Sequence, residues 1–159
     1  MMSDLAKTLD QVSREKGFPG YQSLQPFYNL FDRAEYEAKL EPLCREQGLG
    51  VISYFSLASG FLTGKYRAEK DLAGSSRAQR VGKYLNERGF RILGALDRVA
   101  RERGSTPAAV SLAWLMARPG ITAPIASATS LGQLEQLFSA IDLELSPAEI
   151  EVLNQASAY

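Results

Sequence analysis

The hydrophobic positions of this chain recur mostly at helical spacing, and most of these stretches carry a start or stop signal. From Asn86 to Arg103 the apolar residues fall on one side of a helix, and Gly104 follows as an end signal. The residues predicted to face the core there are Phe90, Leu93, Leu96, Val99 and Ala100. Two further helices are predicted before the second strand: Ser3 to Lys16 with Ser3 as N-cap, and Arg33 to Gln47, which Pro42 should kink or restart. Three more are predicted later in the chain. One is opened by Thr106-Pro107, one is marked by Leu131, Leu134, Leu137 and Ile141, and one is opened by the capping box Ser146-Pro147-Ala148-Glu149.

Short β-branched and aromatic runs lie between these helices and predict three strands. They are Tyr21 to Gln25, Gly50 to Phe55 and Ile121 to Ala126. Strands that alternate with helices predict a parallel sheet joined by right-handed crossovers. Three strands are too few for a doubly wound domain, so the pattern favours an α/β fold that is part of a (β/α) barrel. We treat residues 1–159 as a single domain.

The stretch LASGFLTGKYR directly follows the second predicted strand and suggests a site for a negatively charged ligand. It combines Gly60 and Gly64 with Lys65. In barrels, phosphate is often bound by the loops after the last two strands and a nearby helix N-terminus. The spacing therefore predicts a phosphate-bearing ligand. A P-loop is excluded, because the glycines are too close together and Tyr66 stands where Ser or Thr is required.

Composition narrows the possible classes of chemistry. The 18 basic and 18 acidic residues cancel, which gives no support for a nucleic-acid or membrane partner. The chain has no histidine and one cysteine, Cys44, so histidine-based catalysis and a zinc or other metal site are not expected. A buried, reduced Cys44 and the absence of a signal-like or membrane-spanning stretch predict a cytoplasmic protein.

Five sequence blocks, in this order, resemble the second half of an aldo-keto reductase. They are QPFYNLFDRAEYE, LCREQGLGVISYFSLASGFLTGKYR, KYLNERGFRIL, TPAAVSLAWLMARPGITAPIASAT and DLELSPAEIEVLN. The resemblance implies strands six to eight of a (β/α)8 TIM barrel, a partial or truncated barrel whose family carries out NADP(H)-dependent carbonyl reduction.

The resemblance also implies a cofactor site, with NADP(H) as cofactor and NAD(H) as the alternative. Gln25 resembles the residue that approaches the nicotinamide carboxamide, and Tyr54 the aromatic residue that stacks on the ring. The other implied contacts are Leu57 and Lys65 at the pyrophosphate, Arg77 closing the loop over the cofactor, and Thr129 and Gln133 at the adenosine phosphate end.

Several positions depart from the family pattern. Phe55 replaces a small hydroxyl residue, and Ser130 stands where a basic residue commonly recognises the 2′-phosphate. Gln136 and Leu137 replace the acidic and amide residues that usually face the adenine. These changes weaken the expected cofactor site and the expected preference for NADP over NAD.

The Asp/Tyr/Lys/His catalytic tetrad of the family lies in the barrel's first half, so no catalytic residue is predicted in this chain. Three strands alone would leave two open sheet edges. We therefore expect a homo-oligomer, association with a complementary N-terminal half-barrel, or a rearranged packing in which the outer helices cover the open sheet face. The chain is expected to be an inactive cofactor-binding fragment or a non-catalytic interaction and oligomerisation module.

Overall fold

Three parallel strands form the sheet of this chain, in the computed structural model that describes residue 8 and residues 11–159. The strands are β1 (Ser23–Leu24), β2 (Gly50–Ser53) and β3 (Ile121–Pro124), with β2 in the centre. Ser23 lies opposite Gly50, and the β2–β3 register shifts by one residue next to Val51. The predicted α/β fold with a parallel sheet is confirmed.

Seven helices accompany the sheet in the described part of the chain. They are α1 (residues 11–16), α2 (Glu41–Gln47), α3 (Ala78–Gly82), α4 (Glu87–Glu102), α5 (Pro107–Met116), α6 (Leu131–Phe138) and α7 (Pro147–Ala156). The predicted start of the first helix and its Ser3 cap lie outside the described residues. None of the helices in the described ranges is long and apolar enough to cross a bilayer.

A π-helical turn, Tyr36–Leu40, leads directly into α2. The amide of Glu41 donates to the carbonyl of Tyr36 at this junction, and Pro42 follows in the first turn of α2. Proline has no amide proton, so it fits the start of a helix and interrupts the middle of one. Of the two predicted outcomes at Pro42, a kink or a restart, the structure shows the restart: a widened turn followed by a new helix.

Much of the core lies where α4 packs against α5 and α7, and α5 in turn packs against β3. Trp114 of α5 is completely buried, and its indole N–H donates to the side chain of Asn154 on α7 at 3.0 Å. Asn86 caps α4, Thr106 caps α5 with Pro107 following, and Ser146 opens α7 with the predicted capping box. These caps satisfy amides that the first helical turn leaves without a partner.

Some predicted boundaries and faces are wrong. The strands end earlier than expected, at Leu24, Ser53 and Pro124. The long loop predicted after the second strand contains α3 and two 3₁₀ segments, Ala58–Thr63 and Glu69–Leu72. Phe90 on α4 is 44% exposed, although four other predicted core residues of α4 are buried. On and after α6, Leu131, Leu134 and Ile141 are also exposed.

Candidate functional site

A cavity of about 430 Å³ opens at the carboxyl ends of β2 and β3. One wall is the loop that follows β2, from Phe55 to Lys65, and the opposite wall is formed by residues 125–127 after β3 and the inner side of α6. Arg77 and Arg80 border it from α3 and its N-cap. The volume is within the usual range for small-molecule sites.

The loop after β2 has a backbone that turns sharply. Phe55, Ala58 and Ser59 have positive φ angles of 56°, 48° and 59°, and Gly60 follows at 97°. Non-glycine residues seldom adopt this left-handed region, and such strain tends to occur at functional sites. The backbone of this loop is therefore conformationally strained where it borders the cavity.

Lys65 is positioned by the turn around Gly64. Arg67 donates to the carbonyl of Gly64 at 2.8 Å and, through both terminal nitrogens, to the carboxylate of Asp97 on α4. The amino group of Lys65 lies 4.9 Å from the ring centroid of Tyr66. A hydrogen bond with Ser75, and then the charge of Lys65, lower the pKa of Tyr66.

Two of the cavity's cations meet at Gly60. A Cβ atom built on Gly60 would lie 3.3 Å from Cε of Lys65 and 3.6 Å from a terminal nitrogen of Arg77. Arg77 also lies 3.5 Å from the carbonyl oxygen of Ser59. The absence of a side chain at Gly60 lets both cations lie against the backbone, next to any ligand in the cavity.

The described residues lining the cavity include three cations, Lys65, Arg77 and Arg80, and no carboxylate. None of these three cations takes part in an ion pair between described residues. Apolar side chains also line the cavity, among them Phe55, Leu57, Ile125 and Leu137. A positive cavity with apolar walls can bind an anion that carries a planar or apolar group.

Gln25 and Tyr54 lie just outside this cavity, at the ends of adjacent strands. Gln25 directly follows β1 and Tyr54 directly follows β2, and both side chains are exposed. Tyr54 packs against Phe27 and Phe55 with ring centroids 5.4 to 5.6 Å apart in this aromatic cluster of three residues. The parallel sheet thus brings both predicted nicotinamide contacts to the carboxyl edge that the cavity also occupies.

Thr129 and Gln133 are joined to each other at the start of α6. The side-chain oxygen of Gln133 accepts from the amide of Thr129 at 3.0 Å and from its hydroxyl at 3.2 Å. Ser130, rather than Thr129, is the N-cap of the helix. Gln133 lines the cavity whereas Thr129 does not, so Thr129 contacts a residue of the cavity wall without reaching the cavity itself.

The structure thus gathers Leu57, Lys65, Arg77 and Gln133 around one cavity and places Gln25, Tyr54 and Thr129 beside it. Sequence reasoning missed Arg80, and it named Phe55 only as a departure that weakens the cofactor site, whereas the Phe55 side chain is one of the cavity walls. A signal for Arg80 was present, because it follows Arg77 by three residues, the spacing that places two side chains on one helix face.

Comparison with known proteins identifies the family. The model of the aldo/keto reductase family matches residues 3–158. The chain belongs to the aldo/keto reductase family. It is 33% identical over 142 residues to the uncharacterized oxidoreductase YrpG of Bacillus subtilis, covering 89% of this chain and 42% of that protein.

Two other relatives in the aldo/keto reductase family are similarly distant. The aldo-keto reductase dtxS3 of Metarhizium robertsii is 33% identical over 150 residues, which are 93% of this chain and 40% of dtxS3. The aldo-keto reductase yakc [NADP(+)] of Schizosaccharomyces pombe is 28% identical over 116 residues, covering 71% of this chain and 34% of yakc. The matched part of the chain spans 34% to 42% of the length of these three relatives.

Proposed function

We propose that this aldo/keto reductase chain supplies part of the cofactor-binding surface of an oxidoreductase, with NADP(H) as the cofactor. The observation that carries the proposal is the cavity whose described lining residues include the cations Lys65, Arg77 and Arg80 and no carboxylate. A dinucleotide combines anionic phosphates with planar rings, and this cavity combines cations with apolar walls. The name of the relative yakc specifies NADP(+), which supports the same choice of cofactor.

Each predicted residue has a role in this proposal. Lys65 and Arg77 bind the pyrophosphate where they meet at Gly60, and Leu57 packs beside it. Tyr54 offers the nicotinamide an exposed ring 37% accessible to solvent. Gln25 approaches the carboxamide, while Gln133, oriented by Thr129, faces the adenosine end.

The nicotinamide group, when bound, supplies the hydride for carbonyl reduction. This chain's residues hold and orient the cofactor, and they do not provide the proton. The chain contains no histidine, so in this proposal the Asp/Tyr/Lys/His tetrad is supplied by another part of the barrel. We propose that β1, β2 and β3 are strands six, seven and eight of that barrel.

Isothermal titration of the purified chain with NADPH tests the proposal. Lys65→Met should weaken binding about tenfold or more, because a charged hydrogen bond to phosphate is lost. Lys39→Met is the matched control, since Lys39 is an exposed lysine whose amino group lies 3.9 Å from a carboxylate oxygen of Glu35. The control should bind NADPH like the wild type.

Two results would contradict the cofactor proposal. One is a wild-type chain that shows no heat of binding with either NADPH or NADH. The other is an equal effect of the substitutions at Lys65 and Lys39. The purified chain should also show no NADPH oxidation with a panel of aldehydes, and measurable turnover would overturn the proposed lack of a tetrad.

A second candidate function is assembly, either as a homo-oligomer or with a complementary N-terminal half-barrel. The exposed apolar residues of α6 and the turn after it favour it, with Leu131 79% and Ile141 65% exposed. Sedimentation equilibrium measures the mass of the chain alone. A dimer or larger species supports self-association, while a monomer that binds a separately expressed N-terminal half of YrpG supports complementation.

We also propose a cytoplasmic location. Cys44 is buried and unpaired, which suits a reducing compartment. Burial also raises the pKa of its thiol, so the group stays protonated and unreactive. Labelling of Cys44 by a maleimide only after denaturation, without prior reduction, would agree with a buried free thiol, and no labelling after denaturation would contradict it.

A further inference from the structure

Arg80 borders the cavity beside a different group from the other two cations. Lys65 and Arg77 lie against Gly60, where a Cβ would be 3.3 Å from Cε of Lys65 and 3.6 Å from a terminal nitrogen of Arg77. The guanidinium carbon of Arg80 lies 5.9 Å from the centroid of the Phe55 ring. The cavity therefore has two positive positions, one at Gly60 and one above Phe55.

The ring beneath Arg80 is held in place at an energetic cost. Phe55 has a φ of 56°, a left-handed conformation that is costly for a large side chain. The completely buried amide of Asn29 donates to the Phe55 carbonyl at 3.1 Å, and Ala58 donates to the same oxygen at 2.8 Å. The fold thus maintains a strained residue so that an aromatic ring borders the cavity.

The aromatic cluster extends this surface. Phe27 and Tyr54 pack against Phe55, and the amino group of Lys83 lies 5.3 Å from the Phe27 ring centroid. Lys83 is also 3.5 Å from a carboxylate oxygen of Asp32, whereas no ion pair between described residues involves Arg80. Arg80 is therefore the cation next to this cluster whose charge is not offset by a carboxylate.

We propose that Arg80, seated on Phe55, forms a second anion-binding position in the cavity, which binds a phosphate or carboxylate that the ligand carries apart from the pyrophosphate. This inference rests on the proposed cofactor function only in assigning the pyrophosphate to Lys65 and Arg77. The group has two possible sources. One is the third phosphate of NADP(H), and the other is the carboxylate of an anionic carbonyl substrate next to the aromatic cluster.

Calorimetric titration with three probes tests this position: NADPH, NADH and phenylglyoxylate, a planar aromatic oxo acid. The proteins are the wild type, Arg80→Ala, Arg80→Lys and Phe55→Leu, with Arg98→Ala as control. Arg98 is an exposed arginine of α4 that pairs with Glu102 at 3.0 Å. Thermal unfolding of each variant shows whether the fold is retained.

Arg80→Ala should lower the affinity for NADPH, for phenylglyoxylate or for both by about tenfold or more, because each carries an anionic group that NADH lacks. The affinity for NADH should change by less than about twofold. Arg80→Lys should keep part of the affinity for that probe. Phe55→Leu should lower the same affinity by a smaller factor, and Arg98→Ala should leave all three affinities unchanged. A loss confined to NADPH assigns the position to the cofactor's third phosphate. A loss confined to phenylglyoxylate assigns it to a substrate carboxylate.

The inference is overturned if Arg80→Ala leaves the affinities for all three probes unchanged. It is also overturned if Arg80→Ala lowers the affinities for NADPH and NADH equally and does not change the affinity for phenylglyoxylate. Its failure is distinguishable from failure of the proposed function. A wild-type chain that binds neither nucleotide but binds phenylglyoxylate through Arg80 would remove the cofactor proposal and keep this one. A wild-type chain that binds none of the probes would remove both.

Discussion

Replacing Gly60 with alanine tests whether the bare backbone at this position matters for ligand binding. Gly60 has φ 97° and ψ 1°, a conformation that side-chain-bearing residues seldom adopt. The new methyl group would also lie 3.3 Å from Cε of Lys65 and 3.6 Å from its amino group. Gly60→Ala therefore combines backbone strain with a contact that pushes Lys65 aside.

The two effects have different magnitudes. A left-handed backbone costs an alanine about 1–2 kcal/mol of stability relative to glycine. For a chain of this length, that corresponds to a fall in Tm of roughly 2–8 °C. Lys65 is exposed, so its side chain can move by a few tenths of an ångström, which should weaken NADPH binding by about three- to tenfold rather than abolish it.

Gly120→Ala separates the strain from the contact. Gly120 has a similar φ of 84°, and a Cβ at this position would meet nothing within 4 Å. Both variants should lose a similar amount of thermal stability in a calorimetric scan. Only Gly60→Ala should raise the Kd for NADPH in a titration performed well below either Tm.

Equal NADPH affinity in the two glycine variants would refute this reasoning, whether both bind like the wild type or both bind weakly. The first result would show that the position of Lys65 does not matter to the ligand. The second would show that general loss of stability, rather than the local contact at Gly60, controls binding.

Three further predictions concern stability. Asn29→Ala should lower the free energy of unfolding by about 2–4 kcal/mol in urea titrations, because this buried amide makes four hydrogen bonds; a loss below about 1 kcal/mol would contradict this. Hydrogen bonds from Arg103 lower the pKa of Glu149 from 4.5 to about 2. The stabilising contribution of ionised Glu149 is therefore complete above pH 4.5 and lost as the pH falls towards 2. Glu149→Gln should flatten the acid side of the curve of unfolding free energy against pH, and an unchanged slope would contradict this. Gly89→Ala should destabilise the fold by about 3 kcal/mol, since its methyl group would overlap the carbonyl of Tyr84; a Tm equal to that of the wild type would show that the backbone adjusts freely.

The helices with clear end signals could be predicted from the sequence almost to the residue. Asn86 and Thr106 are the caps of α4 and α5, and the capping box at Ser146 opens α7. Hydrophobic periodicity was less informative about burial. It marked an apolar side on α6, but periodicity shows only that a helix has such a side, and Leu131 is exposed.

The candidate site could be predicted only in part. Glycines next to Lys65 after a strand indicated the loop, and the parallel sheet placed it beside the start of α6. The 3₁₀ segments and α3 carry no strong helix signals, so the side chains they bring to the cavity could not be located. The three-residue spacing of Arg77 and Arg80 places two side chains on one face only where a helix is predicted, and no helix was predicted over these residues, so Arg80 was missed.

Within the described residues, β1 and β3 each have one neighbouring strand, while β2 has two. Amides on alternate residues of a strand point to opposite sides, so only part of the amides in β1 and β3 can be bonded within this sheet. Amide hydrogen–deuterium exchange should therefore be slow along β2 and fast for the outward-pointing amides of the other two. If another strand joins the sheet, slowed exchange at either edge will reveal which side it occupies.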